Sequence, residues 1–406
     1  MPIRTPFAPL AAFLLTALLA LSAQSREFTD SAGRHVALPD RIARVATAGP
    51  TADVLVFALA PDRMIGWSRA PQRPFLPGRA GHLRVTGLAL GPDSPDAAAT
   101  VMRLRPDLVI AAGMVTPARA AMADQLQQST GVPCILVDDS VSRMPGMLRS
   151  IGAVLGVTDR AEDLATYAEH AVNAIRGRLL IEPSQPRPRV YYARGPNGLE
   201  TALPGSPAAD ALEEAGAINV AAGLGRDERV AVSVNQVQGW APEIVIAEQR
   251  GFYQAAQRDP AWRRIPAVAS HRIYLAPSSP FGWIDDPPGI NRLIGLYWLS
   301  DLLYRDATQE DLRDTVREFY DTFYRIKLSE AQLTEMLKPA EPARSTDPME
   351  ALLGIAAVRT PAGSLPLTGL PPAGRHAAMP PATAPLPADP LPMVAAPAPA
   401  PGAVPR

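Results

Sequence analysis

The 406-residue sequence has one cysteine, two lysines and five histidines. A lone Cys134 excludes an intrachain disulfide and any structural zinc site built on two or more cysteines. Its neighbours Val132, Ile135, Leu136 and Val137 make it read as a buried strand residue rather than a nucleophile. The histidines, His35, His82, His170, His271 and His376, are too far apart in sequence to form a local metal site. The patterns GxSxG, GxxxxGK[ST], HExxH and GxGxxG are all missing, so no catalytic or nucleotide-binding motif stands out. The adjacent carboxylates Asp138-Asp139 and Asp285-Asp286 do not by themselves form an acid/base pair, because neighbouring side chains usually point apart. The basic residues are 37 Arg plus Lys327 and Lys338, set against 40 acidic residues, and the formal net charge of −1 excludes a general nucleic-acid binder.

Proline, by contrast, is abundant, and its distribution divides the chain. Of 45 prolines, 17 lie in the last 68 residues, a stretch with no Phe, Trp or Tyr. Such a composition cannot bury enough surface to offset ordering entropy, so 339–406 is expected to be a disordered tail. Within it only Met349 to Val358 has the pattern of a short helix. At the other end, Arg4, the apolar run Phe7 to Leu21 and the small residues around Ala20 to Ser25 read as a removable export signal over 1–25. The run is short for a membrane span. No cysteine is near the cleavage region, so a lipid anchor on an N-terminal Cys is not expected.

Between these ends, apolar runs alternate with helical periodicity. Strands are expected at Ile42 to Thr47, Met64 to Trp67, Leu108 to Ala111 and Cys134 to Val137, with helices over Ala52 to Leu59 and Pro117 to Gln128. Continuous apolar strands separated by helices imply a parallel sheet covered on both faces. From Asp159 to Leu180, apolar residues recur at three and four, which predicts one long helix, with Asp159 and Glu162 as its N-terminal cap pair. Pro183, Pro186 and Pro188 stop it. Alternation then resumes, with strands at Arg189 to Ala193, Glu243 to Ala247 and His271 to Ala276 and helices running to Leu337. The fold class is therefore α/β, with two Rossmann-like lobes of mainly parallel sheet joined by one long backbone helix. The expected divisions are a lobe over 26–157, the helix over 158–182 and a second lobe over 183–338.

The richest stretch chemically is APSSPFGWIDDPPGINRLIGLYWL, Ala276 to Leu299. Residues 252–304 hold nine of the 23 aromatics. Phe281 and Trp283 fall between a strand end and a helix start, the edge of a parallel sheet where ligands bind. Two readings stand for them: stacking on a ligand, or packing the loop onto the next helix. Arg292 has a similar choice between an anionic ligand and Asp285 or Asp286.

Four runs taken together resemble the periplasmic substrate-binding proteins of iron–siderophore, haem and cobalamin ABC importers. They are RPDLVI (Arg105 to Ile110), YYARGPNGLET (Tyr191 to Thr201), DPAWRRIPAVASHRIYLAP (Asp259 to Pro277) and PFGWIDDPPGINRLIGLYWL (Pro280 to Leu299). The resemblance implies an exported, periplasmic, non-enzymatic binding component that holds an iron complex or related metal chelate between its lobes. It needs no resident cofactor, and the scattered histidines argue against a bare metal ion. It implies a ligand site drawn from Trp67, His82, Arg84, Tyr192, Arg194, Trp240, Tyr253, Phe281, Trp283 and Arg292. It also implies an inner-membrane ABC permease as partner. Where the resemblance places a docking glutamate on each lobe, however, this sequence has Ala99 and Asn235. Asp96 is the one nearby substitute for the first. The departure keeps a second reading open, an envelope scaffold on the same fold that tethers a partner through its tail.

Overall fold

The computed structural model describes residues 26–337 apart from 73–75, 77, 92–93, 95, 182–185, 226–229 and 305–308. The export signal, the Pro/Ala-rich tail and the helix expected at Met349 to Val358 lie outside the described residues. The chain divides into a unit ending at Arg344 and a second unit, Ser345–Arg406, that belongs wholly to the tail.

The first described element was not expected from sequence. Strands β1 (Arg26–Thr29) and β2 (His35–Leu38) form an antiparallel hairpin. Its turn is organised by Asp30, whose carboxylate accepts the N–H groups of Ala32 (2.9 Å) and Arg34 (3.0 Å). The same carboxylate accepts the Leu136 N–H at 3.0 Å, which fastens the hairpin to the sheet of the first lobe.

That sheet has three parallel strands in the order β3 (Val45–Thr47), β4 (Leu108–Ala112) and β5 (Cys134–Val137). The side chains of all three strands are buried, so helices or loops must cover both faces. Helix α1 (Pro50–Leu59) has Pro at its first turn and is buried from Thr51 to Leu59, which explains why its sequence is apolar but for Thr51 and Asp53. Helices α2 (Ala97–Leu104), α3 (Pro117–Thr130) and α4 (Met144–Leu155) complete the lobe. Thr116 caps α3 by accepting the Arg119 N–H (3.2 Å), and Gly131 ends it at φ 68°. The strand expected at Met64 to Trp67 is reduced to two isolated bridges, Val45–Met64 and Trp67–Val85.

The long helix predicted by periodicity is present as α5 (Thr158–Ile181). Its 24 residues span about 36 Å. The stripe Ala161, Leu164, Ala165, Ala168, Ala171, Val172 and Ile175 is buried, as the spacing requires. It packs along α4, and Gly152 is the reason the two can meet: a Cβ there would lie 2.0 Å from that of Ala161. Glu162, expected to share the cap with Asp159, instead pairs with Arg149 of α4 at 2.7 Å.

In the second lobe, β6 (Arg189–Ala193) is followed by β7 (Glu200–Thr201), α6 (Pro207–Glu214), β8 (Ile218–Asn219), β9 (Val230–Ala231), α7 (Val234–Trp240), β10 (Ile244–Ala247), α8 (Arg250–Ala256), α9 (Pro266–Ala269) and β11 (Ile273–Leu275). The parallel sheet runs β11-β10-β6-β8, and β7 and β9 form a small antiparallel ribbon. Three helices follow: α10 (Arg292–Tyr304), α11 (Gln309–Tyr324) and α12 (Glu330–Leu337). The aromatic face of α11 does not stay with the second lobe. Tyr324 stacks on Phe57 of α1 at 5.5 Å, and Phe323 meets Tyr167 of α5 at 5.3 Å. One apolar core thus runs through both lobes, with a smaller core on the far side of each sheet. Arg160 of α5 reinforces this junction by donating to the Ala58 carbonyl that ends α1 (3.3 Å) and to the Phe323 carbonyl of α11 (3.0 Å).

Candidate functional site: the cleft between the lobes

Parallel strands leave their carboxyl ends and the loops after them on one edge of a sheet, where ligands are bound. Here the loop after β11 leans onto residues of the first lobe and borders a partly open cavity of about 240 Å³. Asp53, Trp67, Arg69 and Gln72 line it from the first lobe, and Phe281 and Asp286 from the second. Its apolar wall is formed by Trp67 and Phe281, whose ring centres lie 6.0 Å apart. The Trp67 indole N–H is satisfied by the Ala80 carbonyl at 2.8 Å, which fixes the ring.

The mouth of the cavity is polar. Arg69 pairs with Asp286 at 2.6 Å. The Gln72 side-chain amide donates to the Ser278 carbonyl (2.9 Å) and accepts from the Ser279 hydroxyl (2.8 Å). At the exit of β6, Arg194 lies 3.0 Å from Asp285 and 3.5 Å from Glu248. Burial pushes the Asp285 carboxyl above its ordinary value, and the Arg194 guanidinium opposes that rise. Asp53 is the one ionisable residue in the otherwise apolar α1. It accepts the Ser68 N–H (2.9 Å), the Ser68 hydroxyl (2.6 Å) and the Thr47 hydroxyl. Burial nevertheless pushes its pKa up to about 6.

The residues expected at the ligand separate into four groups. Trp67 and Phe281 line the cavity; Arg194 is not among its lining residues but pairs with Asp285, the neighbour of the lining Asp286, and Tyr192 is buried two residues before it in β6. His82 and Arg84 are exposed in and just after a short 3-10 turn of the first lobe. Trp240 and Tyr253 pack against the core on the other face of the second sheet, Trp240 lying 6.1 Å from Tyr191.

Trp283 and Arg292, the residues most emphasised by the sequence, are enclosed. Trp283 has no exposed surface and donates its indole N–H to the Tyr320 hydroxyl at 2.9 Å. The loop turns the ring inward because Gly295 lets α10 meet the Trp283 carbonyl; a Cβ there would be 2.0 Å from that oxygen. Arg292 is 1% exposed and pairs with Asp139 (2.9 Å) and Asp210 (2.8 Å), not with Asp285 or Asp286. Its guanidinium therefore ties the exit of β5 to the second lobe. Sequence reasoning missed Arg69, Gln72 and Asp53. Only Asp53 carried a local signal, an acid within an unbroken apolar helix.

A larger groove of about 770 Å³ runs along α4 and α5 beside the N-terminal hairpin. Its arginines are already neutralised: Arg149 by Glu162 and Glu169, Arg176 by Glu214, and Arg143 by Asp138 at 3.4 Å. The inter-lobe cleft, with aromatic walls and convergent polar groups, is the better-formed site. Among the described residues no group of three His, Cys, Asp or Glu could hold a metal ion, and no helix is long and apolar enough to cross a membrane.

Residues 99–280 match a family model described as periplasmic binding protein. No curated protein matches the sequence. Among solved structures, an ABC transporter solute-binding protein from Sulfurospirillum deleyianum superposes with a TM-score of 0.69 at 25% identity, covering 78% of this chain and all of that one. The molybdate periplasmic binding protein of Haemophilus influenzae, solved with molybdate, gives a TM-score of 0.63 at 20% identity, covering 75% of this chain and 99% of that one. Helicobacter pylori CeuE with Ni(II) bound gives 0.61 at 14%, covering 76% and 99%. The matched family and the Sulfurospirillum protein are binding components rather than enzymes. Over residues 99–280 the chain thus matches the periplasmic binding protein family, and its two-lobed α/β fold is similar to that of the Sulfurospirillum solute-binding protein.

Proposed function

We propose that the chain is the exported, periplasmic solute-binding component of an importer and carries a small anionic metal chelate, of the iron-complex class, in the cleft between its lobes. The supporting observation is a fixed aromatic wall, Trp67 and Phe281, with Arg69 lining the same cavity and Arg194 of the second lobe held just behind its Asp286 wall by Asp285. Aromatic faces suit a conjugated or apolar chelator, and guanidinium groups suit its carboxylate or other anionic oxygens. A cavity of about 240 Å³ favours a compact complex over a haem. The protein binds and releases its cargo without chemistry, and handing it to a permease is its remaining task.

Docking on that permease departs from the pattern of the resemblance, since Ala99 on α2 and Asn235 on α7 are both exposed where glutamates are expected. The same observation favours the second reading, an envelope scaffold. The protein purified from its native envelope decides between them. A visible absorption band with stoichiometric iron or another metal supports the carrier. A colourless, metal-free protein that binds no ferric chelate, but retains a partner through residues 339–406, supports the scaffold.

A further inference from the structure

The loop between β11 and α10 carries two adjacent carboxylates that face different lobes. Asp285 meets Arg194 of the second lobe at 3.0 Å, and Asp286 meets Arg69 of the first at 2.6 Å. Among the described residues, Asp286 is the carboxylate that pairs with Arg69. Asp286 holds a left-handed backbone, φ 48°, which is strained for a residue with a Cβ and persists only where its partners hold it. The Gln72 contacts to Ser278 and Ser279 fix the same loop to the same side of the cleft. The loop thus covers both arginines with its own negative charge.

We propose that Asp285 and Asp286 are tethered counter-ions that a ligand must replace, so that the cleft admits solutes with at least two negative charges and rejects neutral ones. This rests on reading the cleft as the ligand site. A neutral solute entering between the lobes would leave Arg69 and Arg194 no reason to release their carboxylates. A dianion satisfies both guanidiniums and frees the loop. The two pairs would open in order. Arg69 and Asp286 are 53% and 58% exposed, so solvent already screens their attraction. Arg194 and Asp285 are only 17% and 7% exposed, which makes theirs the tighter hold. Glu248, 3.5 Å from Arg194, stays behind to orient that guanidinium when Asp285 leaves.

The test uses the full mature chain and two probes of opposite character: ferric citrate, which is anionic, and tris(acetohydroxamato)iron(III), which is neutral. Asp286→Asn is expected to tighten ferric citrate binding by about three- to tenfold, and the double change with Asp285→Asn by at least about tenfold. The neutral probe is expected to bind none of them appreciably. Unchanged or weaker ferric citrate binding in the Asn variants overturns the proposal, as does a wild type that binds the neutral probe equally well. Hydrogen exchange over 278–290 without ligand gives a readout that needs no binding. It is expected to quicken in Asp286→Asn and in Arg69→Gln, and equal protection in all three proteins overturns the tether. Faster exchange combined with no binding of either probe supports the tether and counts against the cleft as the ligand site.

Discussion

Arg292 and Asp139 form a buried ion pair across the lobes, 2.9 Å apart with side chains 1% and 5% exposed. Asp210 of α6 completes the cluster. Burial raises the pKa of Asp210, and Arg292 together with the Val141 N–H opposes that rise. Arg292→Ala strands the buried Asp139 and leaves the partly buried Asp210 unpaired, and is expected to cost about 3–5 kcal/mol, seen as a lower midpoint in urea denaturation. Replacing Arg292, Asp139 and Asp210 together with apolar residues of similar volume is expected to restore much of that loss. Failure of the triple variant to recover would show that geometry, rather than uncompensated charge, is what Arg292 supplies.

Arg69→Gln separates binding from folding. The pair it breaks is solvent-exposed, so stability is expected to move by no more than about 1 kcal/mol. Affinity for ferric citrate is expected to fall at least tenfold, about 1.4 kcal/mol. Calorimetric titration beside a thermal melt checks both halves.

Trp283→Ala is expected to behave in the opposite way. The ring is fully enclosed and the Tyr320 hydroxyl loses its indole donor, so destabilisation of about 3–5 kcal/mol should follow. Under conditions where the variant stays folded, its affinity should match that of the wild type. Loss of affinity without loss of stability would place Trp283 at the ligand after all.

Asp53 gives a pH signature. Its carboxyl is raised from 3.8 to about 6 in the folded protein, so between those values the folded state holds the proton more tightly than the unfolded state does. Its contribution therefore favours the fold below about pH 4, declines as pH rises through about 6, and is level above that. Asp53→Asn removes this dependence. Relative to wild type, the variant should gain on the order of 3 kcal/mol between pH 4 and pH 7. Denaturation midpoints of the two proteins at several pH values measure it; parallel curves would show that Asp53 titrates normally.

Gly152→Val is expected to force α4 away from α5, because even a Cβ at 152 falls 2.0 Å from that of Ala161. A cost of about 1–3 kcal/mol is the usual range for overpacking. Partial recovery by Ala161→Gly in the same chain would locate the clash.

The strands β4, β5, β6 and β10 and the helix α5 were legible because each is a continuous apolar run or an unbroken stripe at three and four, signals that survive without neighbours. The hairpin of β1 and β2 was not, since it is held by Asp30 accepting the N–H of Leu136, over a hundred residues away. Helix α4 went unread although Met144, Met147, Leu148, Ile151 and Leu155 have helical spacing, because Gly146 and Gly152 interrupt it. At the site, sequence found the loop and misjudged which of its side chains turn outward. An aromatic between prolines looks the same whether it faces a ligand or Tyr320. An arginine near two aspartates gives no hint that its partners are Asp139 and Asp210. The asymmetric use of Asp285 and Asp286 follows from where two lobes happen to meet, and no local pattern encodes that.

The stacking of Tyr324 on Phe57 joins the next-to-last helix of the described residues to the first helix of the fold. Neither half can be made alone without baring a row of aromatic rings to water. During synthesis α1 must therefore wait, incompletely covered, until α11 emerges some 250 residues later. A protein built this way benefits from being kept unfolded until the whole chain is available, because its early half has no finished surface of its own.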